Sequence, residues 1–74
     1  MTVWLLNAGE APVKNVRVAL GGRAVTGTSV RTVRWGPDTP REGADGTLSV
    51  PVRSRSADCG VPPMTLLCLE FEVE

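Results

Sequence analysis

Histidine and tyrosine are absent from this 74-residue chain, and lysine occurs once, at Lys14. Without histidine, the Ser-His and Cys-His pairs that activate most nucleophiles cannot be assembled. A Ser-Lys pair would have only Lys14 to draw on. The same absence leaves Cys59 and Cys68 unable to complete an ordinary four-ligand zinc site within one subunit. No metal or other cofactor is therefore expected. No run of about 18 apolar residues occurs, so the chain is not expected to span a membrane by itself. Aromatic residues are scarce too: Trp4, Trp35 and Phe71 are all there are. The core must then be mainly aliphatic, which leaves little reserve against truncation. Helical periodicity is lacking over even a few turns, and there is no internal repeat or low-complexity tract.

What is present is the composition of a globular chain, 42% hydrophobic and 22% charged, with Val, Leu and Thr prominent. The length suits one domain, residues 1–74, of a size at which only about 60% of the unfolded surface is buried. Net charge is zero, but unevenly spread. All eight basic residues lie between Lys14 and Arg55, opposed there by Asp38, Glu42 and Asp45, a local balance of +5. Residues 58–74 carry Asp58, Glu70, Glu72 and Glu74, a balance of −4. If the last strand lies beside a basic one, these sets face each other across the sheet. The zero overall charge argues against nucleic acid as the partner.

Read along the chain, residues 2–7 are apolar on both faces, which predicts a strand placed centrally in its sheet. Val16, Val18 and Leu20 alternate with Asn15, Arg17 and Ala19, the period-two signature of a half-buried strand. The Asn7-to-Pro12 turn between these runs makes them read as a β-hairpin. Gly21-Gly22 ends the second run with residues suited to positive φ. Residues 23–35 are β-branched with an interior Gly27, which predicts two segments meeting there. Gly36 to Gly46 reads as a solvated loop, and Thr47 to Val52 as a strand that Pro51 consigns to an edge. Arg53 to Pro63 reads as a long connection. Met64 to Val73 gives the strongest strand pattern: Leu67, Leu69, Phe71 and Val73 share one face, Leu66, Cys68, Glu70 and Glu72 the other. The whole predicts an all-β protein, a small immunoglobulin-like β-sandwich of about five to seven strands, with a small β-barrel as the alternative.

The segment Trp4-Leu-Leu-Asn-Ala-Gly-Glu-Ala-Pro-Val-Lys-Asn-Val-Arg-Val-Ala-Leu20 resembles the strand-turn-strand start of immunoglobulin-like accessory modules of the CARDB (cell adhesion related) type. Gly27 to Trp35, followed by a loop, a glycine and Thr47 to Val52, is similar to the same pattern, so the resemblance covers residues 2–52. It departs from the family by starting where the second strand of such modules lies and by adding the Cys59-to-Cys68 connection. The resemblance implies a non-catalytic role in presenting or binding other domains, and it supplies no catalytic residues.

The expected function is therefore a protein-interaction or assembly module that offers an edge strand or an apolar sheet face to another protein or to a second copy. Leu66 and Cys68 on the outer side of the last strand, with Arg31, Arg34 and Trp35, are the candidate binding residues. Trp35 has a plainer reading as a core tryptophan at a strand end. A nucleic-acid-binding barrel using Arg31, Arg34, Trp35, Arg53 and Arg55 is one alternative. A non-catalytic fragment of a larger secreted enzyme is another, and catalysis by this chain itself through Asp38 or Asp58 ranks last. Cys59 and Cys68 are spaced so that a disulfide is possible. The lack of a signal peptide before the first strand favours two free thiols in a reducing cytosol, and secretion if the chain belongs to a longer precursor.

Overall fold

In a computed structural model that describes residues 1–74, the chain forms six strands and no helix. They are β1 Thr2–Asn7, β2 Val13–Ala19, β3 Ser29–Trp35, β4 Ala44–Ser49, β5 Ser56–Val61 and β6 Thr65–Glu70. β1, β6, β3 and β4 make a four-stranded sheet in that order, and β2 pairs with β5 in a second sheet of two strands. Every pairing is antiparallel. The all-β, two-layer architecture expected from the strand and turn pattern is what the chain adopts.

The core lies between the layers. Leu67, Leu69 and Phe71 meet Val18, Leu20, Val25, Val30, Val50, Ala57 and Val61, and Leu69 is wholly inaccessible. Burial of an aliphatic side chain of this size stabilises by about 1.5–3 kcal/mol relative to exposure. Phe71 is the only aromatic residue in this cluster. Asn7 closes the top of the core. Its Nδ2 donates to the carbonyls of Ala11, Val61 and Pro62, while its Oδ1 accepts from the Gly9 amide.

Several sequence expectations are corrected. β1 and β2 are not a hairpin: β1 pairs with β6 and β2 with β5, so residues 8–12 carry the chain from one layer to the other. β1 is not central but sits at an edge of the four-stranded sheet. Its two-sided apolarity comes from one face on the core and one apolar face outside. The connection from Arg53 to Pro63 contains β5, whose Ala57 and Val61 point into the core. β4 starts at Ala44 and ends at Ser49, earlier than expected, though it does form the other edge of the sheet. Residues 23–35 do divide near Gly27: Val25 bridges Val73, and β3 begins at Ser29.

Local chemistry accounts for the irregularities. In β2, Asn15 takes φ 60° and the register slips between Val13 and Val16. This bulge keeps Val13 and Val16 on one side despite their odd spacing, and asparagine tolerates the left-handed conformation better than most residues. Gly21 and Gly22, at φ 65° and 85°, turn the chain after Leu20.

Candidate interaction face

Because Leu67 and Leu69 point into the core, the residues between and beside them, Leu66, Cys68 and Glu70, point outward from the four-stranded sheet. The strand register extends this outer face across the neighbouring strands in three rows. Leu6, Leu66 and Trp35 form the first row; Trp4, Cys68, Val33 and Asp45 the second; Thr2, Glu70, Arg31 and Thr47 the third. The first two rows are apolar except for Asp45 at their end, and the third is polar.

Trp4 of β1 and Trp35 of β3 reach diagonally over β6 and stack on each other, with ring centroids 5.9 Å apart and planes 23° from parallel. The position of this roof accounts for Cys68 being only 4% exposed although it faces away from the core. Trp4 and Leu6 themselves remain 57% and 72% exposed. Gly43, at φ 89°, makes room for the arrangement. A β-carbon there would sit 2.7 Å from Val33 Cγ1 and 2.9 Å from Trp35 Cε2 and Nε1.

The polar row is organised by Arg31. Its guanidinium lies 3.5 Å from Glu70 Oε2 and 3.6 Å from Asp45 Oδ1. These pairs are solvated, so they orient side chains more than they stabilise the fold. They do realise the expected meeting of the acidic last strand with a basic neighbour. On the other layer, Arg17 Nε donates to Asp58 Oδ1 at 3.0 Å, which raises the Arg17 pKa above its ordinary value.

Of the five candidate binding residues, the fold gathers Leu66, Cys68, Arg31 and Trp35 on this one face. Arg34 has the opposite parity, opposite Leu67 and Ala44, and borders a depression lined also by Pro37, Asp38, Pro63 and Met64. Arg53 and Arg55 lie in the connection leading to β5, outside the four-stranded sheet. The reading of Trp35 as a core residue is corrected: it is half-buried against Trp4 and lies outside the core cluster. Trp4, Leu6 and Val33 complete the face and were not among the sequence candidates. Their signal was the parity of Trp4 and Leu6 against Val3 and Leu5, which is readable once Leu5 is known to face inward.

Cys59 and Cys68 are both free, which corrects the possible disulfide. Cys59 packs against the core from β5, whereas Cys68 lies on the far side of the four-stranded sheet. Burial pushes both thiols above their ordinary pKa, reinforced by Asp58 at Cys59 and by Glu70 at Cys68, where Arg31 opposes the shift.

The chain matches no family model, no curated protein and no solved structure. No helix is long and apolar enough to cross a membrane.

Proposed function

We propose that this chain is a non-catalytic interaction module that presents the outer face of its four-stranded sheet to a partner protein. The observation that carries this reading is the solvated apolar surface of Trp4 and Leu6, continuous with Leu66 and Trp35. Trp4 and Leu6 alone leave on the order of 200–300 Å² of mostly apolar side chain in water, close to the largest patch a small monomer ordinarily shows. At about 25 cal/mol per Å², covering it is favourable by several kcal/mol before the cost of association. A central aromatic anchor with a charged rim is also the composition in which binding hot spots concentrate. The resemblance of residues 2–52 to CARDB-type modules agrees with a presenting role.

The test is a pair of charged substitutions on the face, Leu6→Glu and Leu66→Glu, each checked for an unchanged far-UV circular dichroism spectrum. Association is measured by capture of foreign partners on immobilised chain. Both substitutions are expected to abolish that capture. Capture that survives both overturns the reading.

A further inference from the structure

We infer that β1 is a self-complementary edge through which two copies pair antiparallel, about a two-fold axis at Trp4, into one continuous sheet. The inference goes beyond the face reading and stands on different ground, the backbone of the edge. Met1 and Phe71 exchange both of their backbone hydrogen bonds, at 2.9 and 2.8 Å. In an antiparallel ladder bonded pairs alternate with non-bonded ones, so Val3, Leu5 and Asn7 also point their backbone groups at β6. Thr2, Trp4 and Leu6 therefore aim their N–H and C=O groups away from β6, along the open edge. No turn, loop or side-chain hydrogen bond engages these groups.

An edge of this kind templates a further strand unless something blunts it. The other three edges are blunted. β2 carries Lys14, Arg17 and the Asn15 bulge, β4 carries Asp45 and Gly46, and β5 carries Asp58 and Gly60 ahead of Pro62-Pro63. β1, Thr-Val-Trp-Leu-Leu-Asn, has no charge, no proline, no glycine and no bulge.

A second copy fits this edge by charge and by register. Self-pairing sets like against like, so a charged strand would repel its own copy, and β1 is neutral. With the axis at Trp4, Thr2 pairs with Leu6 of the second copy, and Trp4 with Trp4. Each is then a bonded pair, giving about six backbone hydrogen bonds. Side-chain parity is kept as well. Val3 meets Leu5 on the core side, and the two Trp4 positions adjoin on the outside with each indole lying over its own β6, so that both apolar faces continue across the seam. Strands of this length are only about 20 Å long, and the contact falls short of the ~1,200 Å² of a standard interface. The expected dimer is accordingly concentration-dependent.

The decisive measurement combines sedimentation equilibrium with amide hydrogen exchange over a wide concentration range. The mass is expected to rise from 7.9 kDa towards twice that value, with exchange at Trp4 and Leu6 slowing in step. Backbone N-methylation of Trp4 in the synthetic chain, or Thr2→Pro, spares the β1–β6 ladder and is expected to shift the equilibrium towards monomer. A monomer at every concentration overturns the inference. A dimer whose Trp4 and Leu6 amides stay unprotected also overturns it, while leaving the face reading standing. Protection that appears only on adding a foreign extended peptide assigns the edge to another strand and overturns pairing with a second copy. Leu66→Glu, on β6 and away from the edge, is expected to leave the dimer intact, so the two readings fail separately.

Discussion

Replacing Gly43 by alanine tests whether the tryptophan roof is set by the space left beneath it. Gly43 has φ 89°, and Gly21 has φ 65°, so alanine is strained at both. The left-handed conformation costs an L-residue roughly 1–2 kcal/mol. At Gly21 nothing lies within 4 Å of the added carbon, so that strain is the whole effect. At Gly43 the carbon arrives 2.7 Å from Val33 and 2.9 Å from the Trp35 ring, and the ring has to move. Loss of the Trp4–Trp35 stack adds about 0.5–1.5 kcal/mol. Gly43→Ala is thus expected to cost about 1.5–3.5 kcal/mol, and Gly21→Ala about 1–2 kcal/mol. Thermal unfolding followed by far-UV circular dichroism would show these as losses of about 6–28 °C and 4–16 °C in Tm. With no tyrosine in the chain, fluorescence reports Trp4 and Trp35 directly, and Gly43→Ala alone is expected to shift the emission to the red. Equal losses for the two variants, with unchanged emission in Gly43→Ala, would refute the reasoning.

Leu69→Ala empties the most inaccessible core position and is expected to cost about 2–5 kcal/mol, read from urea unfolding. Asn7→Ala strips the buried amide from the carbonyls of Ala11, Val61 and Pro62, with an expected cost of about 2–3 kcal/mol; a neutral result by the same assay would mean that water replaces the side chain. Both thiols are held above their ordinary pKa in the folded chain, so the stability linked to them is complete below the unfolded value of about 8.5 and is lost as pH rises towards the folded values. Urea midpoints are expected to fall through that range, and the Cys59→Ala, Cys68→Ala double variant to show a shallower fall. Identical slopes would mean that the thiols do not contribute.

The strands that sequence made legible are those whose alternation is enforced by the core. Val16, Val18 and Leu20, and Leu67 with Leu69, repeat every second residue because alternate side chains face the other layer. β5 was illegible because Ser56-Ala-Asp-Cys-Gly-Val61 has small and polar residues with little β-propensity, and only tertiary contact makes it a strand. The opening hairpin failed for a different reason. A five-residue connection closes a hairpin or crosses between layers equally well, and the choice is made by β6, remote in sequence. The interaction face was half legible. Leu66 and Cys68 could be placed by parity, but the union of Trp4 with Trp35 depends on β6 lying between β1 and β3, which no local pattern encodes.

The pairing of the first strand with the last also sets an order of events during synthesis. Met1 and its partner Phe71 are separated by 70 positions, a delay of about 4–14 s at ordinary elongation rates. Throughout that interval the segment Val3-Trp4-Leu5-Leu6 lacks the strand that retires it. Of all the strands it is the one a nascent-chain chaperone would meet first, and one of the last that folding takes out of reach.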